Sequence, residues 1–397
     1  VPRYEVYATR WDDPHIVEEL IPARGLSFSL PLSDHGEASF EATVEPGRSF
    51  WRPSIGLPVS GILIARDGVP VWSGWVRTDR KTAPRTFQFT CQEWGGFFED
   101  KCDQPARTWT NVNDHQIFRD LVTEAQAVAG QNLQVQVDPS TSGASVSTRV
   151  INAWDTTTVG REFRSLAEAT GGPEWYFGAA GTLDNPVRQL VLGDRLGHIT
   201  AQTVLEFVED TEDYRLPDPP PTVALLSSLY LGDPQLVPTR RAGGNLIDQG
   251  RVQDVANAAT YAEAVGSGEE KAQKRKTATA TTLLAQGWPR MTYVDTSHTD
   301  VSVDATLQRH ADAALADRAG IATDYHLVSF DGDLTADWTQ TPRGSTVGVV
   351  LDTDEYGGDR PVGGADGFDA RLVDTIVHVP DDGTPQVEWV VTTVLEV

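Results

Sequence analysis

Two apolar runs, Leu57-Pro-Val-Ser-Gly-Ile-Leu-Ile-Ala-Arg66 and Val69-Pro-Val-Trp-Ser-Gly-Trp-Val-Arg77, are separated only by Asp67-Gly68. This stretch constrains the fold more than any other. A two-residue connection between right-twisted strands needs positive φ at both central positions, and Asp-Gly supplies it. After Asp79 to Pro84 comes a third run, Arg85-Thr-Phe-Gln-Phe-Thr-Cys91, so residues 57–92 read as an antiparallel meander. Trp72 and Trp75 are an odd number of residues apart and face opposite sides of a regular strand, with Gly74 between them as a bulge or a point of close approach. One face is core and the other meets something else. None of these residues carries chemistry of its own, so function is expected from what such a module joins.

At 397 residues the chain exceeds what one hydrophobic core organises, so two to four domains are expected. With 35 Gly, 24 Pro and 11 Trp, the composition suits a β-rich, loop-rich fold. The net charge of −25 disfavours binding to phosphate backbones, and no stable nucleic-acid binding is expected. Arg outnumbers Lys 27 to 5, which reads as codon bias of a GC-rich genome. There is no apolar signal core at Val1-Pro-Arg-Tyr-Glu-Val-Tyr7 and no membrane-length apolar run, so folding in the cytoplasm is expected. Cys91 and Cys102 read as buried thiols rather than as a disulfide or a metal site.

Residues 3–11, 25–30 and 37–45 alternate as strands and, with the meander, give the strand density of a small barrel or sandwich ending near residue 105. The period then becomes helical at 113–129, with Ile117, Phe118, Leu121, Val122, Ala125 and Val128 on one face behind Asn113 as N-cap and before Gly130. A second helix is expected at about 157–170, with Val159, Phe163, Leu166 and Ala167 inward, followed by a strand pair through Glu174-Trp-Tyr-Phe and Gln189-Leu-Val-Leu. Leu216-Pro-Asp-Pro-Pro-Pro-Thr222 is a stiff extended linker. Strands are expected at residues 261–270, 277–284 and 290–294, and residues 251–265 read as strand in preference to helix. A helix follows over 303–319, with Leu307, Ala311, Ala314 and Leu315 on one face, and four strands fill 326–397. The fold class is therefore α+β and predominantly β. Two small β-barrel domains at the ends, 1–105 and 326–397, flank two mixed α+β domains, 106–215 and 216–325.

No catalytic, cofactor-binding or metal residues are assigned. Asp352-Thr-Asp-Glu-Tyr-Gly357 begins like a calcium loop, but the position that should carry a bidentate glutamate is Gly363, so a solvated loop is the better reading. Lys271-Ala-Gln-Lys-Arg-Lys276 is the only basic run and reads as a solvated face neutralised by Glu269 and Glu270. His298 and His310 lack zincin spacing. Trp109, Trp154, Trp175, Trp288 and Trp338 could stack on sugars, but core or interface positions account for them more simply. No nucleophile elbow, phosphate loop or dinucleotide fingerprint occurs.

The order barrel, α+β, α+β, barrel resembles the baseplate hub family of long-tailed bacteriophages, which includes the N-terminal part of tail-associated lysins and actinobacteriophage minor tail proteins. Leu57 to Val76, Asn113 to Gly130, Leu166 to Phe177, Val265-Gly-Ser-Gly-Glu269, Gly287-Trp288, Thr306 to Ala316 and the Phe330-Asp-Gly-Asp333 region carry the resemblance. It implies a structural, non-enzymatic homotrimer at the virion tail tip, assembled in the host cytoplasm. Its partners would be the distal tail protein, the tail tube or tape measure protein, and tail fibre or spike proteins, with the DNA passage between subunits. Six quasi-equivalent barrels from three chains would form the ring. Many members carry a C-terminal hydrolase domain, and the chain's end at the second barrel puts a lytic role in doubt. The competing readings are a cell-wall glycoside hydrolase, a carbohydrate-binding adhesin and, within the same machine, the distal tail ring protein.

Overall fold

The computed structural model describes residues 1–17, 20–44, 55, 60–101, 106–139, 146–151, 158–167, 172–197, 203–206, 245–254, 258–268, 273–296, 301–319, 322–333, 336–350, 368–381 and 383–393. The N-terminal module consists of β1 (Tyr4–Arg10), β2 (Ala23–Ser29), β3 (Glu37–Thr43), β4 (Ser60–Arg66), β5 (Val69–Ala83) and β6 (Thr86–Glu93). Asp67 and Gly68 adopt φ of 51° and 80°, the turn that the sequence predicts between β4 and β5. A Cβ at Gly74 would lie 2.1 Å from the Gln92 carbonyl oxygen, so that glycine marks a close approach. In the ladder with β6 the bulges fall further along, between Val76 and Thr78 and between Lys81 and Ala83.

Both faces of β5 are buried, by different cores. Trp72 packs with Phe28, Phe40, Ile62 and Phe89 inside the module. Trp75 packs on the other side, with Trp94, Phe98, Ile117 and Phe163 of an α+β unit. That unit comprises α1 (Trp94–Lys101), β7 (Arg107–Asn113), α2 (Asp114–Ala127), β8 (Val135–Val137), β9 (Val146–Ile151), α3 (Val159–Ala167), β10 (Glu174–Gly181) and β11 (Pro186–Gly193). The Asn113 side chain accepts from the His115 amide at the start of α2, as expected of its N-cap, and Ile117, Phe118, Leu121, Val122 and Ala125 are buried, whereas Val128, expected on the same face, is extended at the C-cap and exposed. Helix α1 was not expected. Its two glycines lower helix propensity, and tertiary packing of Phe98 on Phe177, centroids 5.6 Å apart, overrides that. The strand pair β10–β11 is longer than expected, with Gly178 inside a strand and the turn confined to 182–185.

The chain continues through β12 (Thr203–Glu206) and β13 (Leu246–Asp254). A small unit follows: β14 (Tyr261–Val265), β15 (Arg275–Thr279), α4 (Thr281–Ala285), β16 (Thr292–Asp295) and α5 (Asp304–Arg318). Its core is Ala264, Leu307 and Ala311. The strand expected over 277–284 is thus half strand and half helix. The last strands are β17 (Ala322–Phe330), β18 (Thr346–Val350), β19 (Phe368–Val379) and β20 (Gln386–Thr393). The Pro-rich stretch 216–222 lies outside the described residues.

The second module has the strand order of the first. In space the N-terminal strands run β1-β4-β5-β6-β3-β2 and the C-terminal ones β12-β18-β19-β20-β17-β13. With strands numbered one to six along the chain within each module, both orders are the same. Each also carries a bulge at the matching place, between Val76 and Thr78 opposite Cys91 and Thr90, and between Leu372 and Asp374 opposite Val391 and Val390. One pairing differs: β1 is antiparallel to β4, whereas β12 is parallel to β18.

The expected pair of barrels needs correction, because no closed ring of ladders is present among the described residues. Two isolated bridges, Val6↔Ile21 and Thr9↔Ile16, curl the residues before β2 back to β1. The outer edge of β2 instead pairs with β19, Leu26–Ser29 against Val379–Ile376, and joins both modules in one twelve-stranded sheet. A sheet edge left in water exposes unpaired amides and carbonyls, and the long strand β19 offers this one a partner. A single apolar core runs through both modules, from Val6 and Phe40 to Leu327, Val349 and Trp389.

Candidate functional site

With no catalytic constellation to describe, the features that organise function are the seams between modules. Four polar nodes, three of them around a buried charged group and one half-buried, hold them. At the first, Asp331 of the C-terminal module accepts from the Tyr4 hydroxyl at 2.5 Å, from Arg66 Nη2 at 2.8 Å and from Trp338 Nε1 at 3.1 Å. Burial beside this carboxylate pushes the Tyr4 hydroxyl well above the ordinary phenol range. At the second, Arg343 Nη2 donates to Glu93 Oε1 at 2.7 Å, with Glu93 1% exposed. The Gly36 amide satisfies the other Glu93 oxygen at 2.8 Å, and Arg343 Nη1 reaches the Pro31 carbonyl at 3.0 Å.

The third node fastens the N-terminal module to the α+β unit. Arg188 on β11, 2% exposed, donates to the main-chain carbonyls of Trp11 at 2.6 Å, Leu133 at 2.8 Å and Asp13 at 3.1 Å, and also to that of Arg10. Its guanidinium lies 3.9 Å from the Trp94 ring centroid. Burial pulls this group down to about 9, so it stays cationic at neutral pH. At the fourth, Arg371 of β19 donates to both oxygens of Glu174 on β10 at 2.6 Å, and the Leu196 amide donates to the same carboxylate at 2.7 Å. Through the shared bulge, Arg371 occupies in β19 the place that Trp75 occupies in β5. Both positions hold the same α+β unit, one by apolar packing and one by an ion pair.

Sequence reading did not single out these residues. Arg188 had a visible signal: it shares the inward face of Pro186–Gly193 with Leu190 and Leu192, so strict alternation places a cation in the core. Glu93, Arg343 and Asp331 had none, because their partners lie 250 or more positions away along the chain.

The stretches that the sequence did single out are not brought together. The calcium-like loop Asp352 to Gly357, His298 and Trp154 lie outside the described residues, as do Glu269 and Glu270. Of the basic run, Lys271 lies outside the described residues, Lys274 precedes β15 and Arg275 and Lys276 open it, and the partners are different ones: Lys274 and Lys276 meet Asp304 at 2.9 and 3.0 Å, and Arg275 meets Glu263 at 2.7 Å. His310 is buried on α5. Trp109, Trp175 and Trp338 are buried, and Trp109 and Trp338 bond Asp120 and Asp331, so none of the three offers a face to a sugar. Cys91 sits in the N-terminal core, where burial pushes its thiol up, and Cys102 is outside the described residues. Among the described residues no group of three or more His, Cys, Asp or Glu could hold a metal ion, and no helix is long and apolar enough to cross a membrane.

No protein-family model matches the chain, and no curated protein matches it at a significant level. Solved structures do. A tail protein from Neisseria meningitidis MC58 aligns with a TM-score of 0.58 at 15% identity, over 98% of this chain and 96% of that one. The 43 kDa tail protein of prophage MuSo2 from Shewanella oneidensis gives 0.58 at 12% identity, over 98% of both chains. Prophage tail protein gp18 from Listeria monocytogenes EGD-e gives 0.53 at 10% identity, over 99% and 95%. End to end, the chain has the fold of phage tail proteins.

Proposed function

We propose that this chain is a structural, non-enzymatic component of a bacteriophage tail, the hub at the tail tip. In this reading three copies close a ring in which N-terminal and C-terminal modules alternate, joining the tail tube and the distal tail protein to the fibre or spike apparatus around the DNA passage. One observation carries it: two six-stranded modules of one strand order, with one bulge position, lie side by side in a continuous sheet. A threefold assembly of such chains presents six similar surfaces, which is what a threefold tip needs where it meets a sixfold tube. The fold likeness to tail proteins over nearly the full length of both chains points the same way. The division into end modules at 1–105 and 326–397 and mixed units at 106–215 and 216–325 belongs to this proposal, with β12 and β13 lent to the C-terminal module by the units before it. Sedimentation of the purified chain tests the reading: three times the 43.2 kDa chain mass is expected, together with density for the chain at the tail tip of virions. A monomer that forms no trimer on virions would sink it.

A further inference from the structure

The joint between the two modules of one chain indicates how one chain joins the next. Ladder by ladder from the shared bulge, Cys91 corresponds to Val391, Ala38 to Tyr325 and Phe28 to Arg251, while Arg80 corresponds to Ile376 and Lys81 to Val377; past Lys81, β5 has a further bulge, between Lys81 and Ala83, that β19 lacks. Within the chain, β2 pairs with the far half of β19 as Ser29↔Ile376, Phe28↔Val377, Ser27↔His378 and Leu26↔Val379. The counterpart of β2 is β13, which ends the strand path. The counterpart of the far half of β19 is the end of β5, with Arg80 and Lys81 in the places of Ile376 and Val377. Among the described residues no strand pairs with β5 along Arg80–Ala83 on the side away from β6, nor with β13 along Gln249–Val252 on the side away from β17.

Resting on the trimeric reading above, we propose that β13 of one copy adds to the open half of β5 of the next, in the register that the internal joint dictates up to the second β5 bulge: Val252↔Arg80 and Arg251↔Lys81, antiparallel. The partner is a second copy of this chain. Arg80, Lys81, Thr82 and Ala83 are all exposed, and Val252 is 51% exposed, so the backbone of both edges is within reach. At long range the edge is also suited by charge, although the register sets Arg251 directly opposite Lys81, a locally unfavourable like-charge pair. Each copy carries −25, yet residues 77–85 hold Arg77, Arg80, Lys81 and Arg85 against the single acid Asp79, which eases the approach of an acidic neighbour. The arrangement would remove two sheet edges per subunit, each of which is otherwise open to unspecific strand addition. The contact is heterologous, strand two of the C-terminal module against strand five of the N-terminal module, so it propagates around a ring rather than ending at a dimer.

The joint also fixes the hydrogen-bond phase. The Leu30 amide donates to the Thr375 carbonyl and the Leu32 amide to that of Val373, so Ser29↔Ile376 is a non-hydrogen-bonded pair, and Val252↔Arg80 inherits that character. Such pairs bring side chains closest together and suit a disulfide. The experiment uses the full chain with Cys91→Val and Cys102→Ser, carrying Val252→Cys and Arg80→Cys, oxidised and run without reductant beside a mass measurement. Covalent dimers and closed trimers are expected. Val252→Cys with Lys81→Cys, displaced by one residue and so facing opposite sides of the sheet, should give almost none. A second variant, Lys81→Pro, removes the amide that the inherited phase turns toward β13, and should weaken association by about tenfold or more; a melt measured beside it separates this loss from damage to the β5–β6 ladder, where Lys81 pairs with Phe87. A trimer by mass with no in-register disulfide, or with equal yield from the displaced pair, overturns the strand pairing and leaves the trimeric reading standing. A chain that stays monomeric throughout overturns both.

Discussion

The N-terminal and C-terminal modules share a strand order and a bulge, yet the chain builds them differently. The first is continuous from Tyr4 to Glu93, with its hairpins closed by turns as short as Asp67-Gly68. The second gathers β12 and β13 from earlier in the chain and admits the small unit β14 to α5 between β13 and β17. Closing a longer loop costs only about 0.6 kcal/mol per doubling, so a ladder of eight paired positions such as β13–β17 survives a large insertion between its strands. The ladder defines the module; the connections do not. The same comparison holds at single residues. Trp75 and Arg371 stand at equivalent places and both grip the α+β unit, but Trp75 meets aromatic rings and Arg371 meets Glu174. What lies opposite sets the chemistry, and the fold tolerates either solution.

Unequal grips should fail unequally. Trp75→Ala opens a cavity in a close-packed core and is expected to cost about 3–5 kcal/mol in chemical denaturation, the largest effect in this set. Arg188→Met keeps volume but strips donors from the carbonyls of Trp11, Leu133 and Asp13, and should cost about 2–4 kcal/mol, measured the same way. A loss below about 0.5 kcal/mol would mean those carbonyls find other donors. Arg371→Ala, at the place equivalent to Trp75, should cost less, about 1–2 kcal/mol, because its pair with Glu174 is 15% and 24% exposed. If it equals Trp75→Ala, the two grips are not the unequal pair described here.

The smallest effect sharpens the comparison through pH. Asp374 is equivalent to Thr78, which is exposed, whereas β2 covers Asp374 and its carboxylate accepts from the Leu30 and Thr375 amides at 3.0 and 2.7 Å. Burial pushes its pKa up from 3.8 to about 6. The folded chain therefore keeps a proton that the unfolded chain releases. This contribution is fully present below pH 3.8 and is lost as pH rises through about 6. Asp374→Asn should gain about 1–2 kcal/mol over the parent at pH 7.5 and nothing near pH 4, read from melts across that range. An equal gain at both pH values would remove titration as the cause.

Much of the local structure was legible. The Asp67-Gly68 turn, the two faces of β5, the Asn113 cap and the inward faces of α2 and α5 follow from φ preferences and from periods of 2 and 3.6 residues, which act within a few residues of chain. Helix α1 was missed because packing on Phe177, not propensity, forms it. At the seams, the alternation in Pro186–Gly193 marked Arg188 as buried, but nothing near Glu93 announces Arg343.

The sequence by itself determined that the chain would be strand-rich at both ends, that β5 would bury two faces, and that helices would lie between the end modules, because backbone preference and hydrophobic period are local properties. Only the tertiary structure decided that the two ends share one sheet and one strand order, that β12 runs parallel to β18, and that Asp331, Glu93, Arg188 and Glu174 carry the seams. Each of these depends on which distant backbone edge or charge arrives opposite a given residue, and no local rule fixes a partner hundreds of residues away.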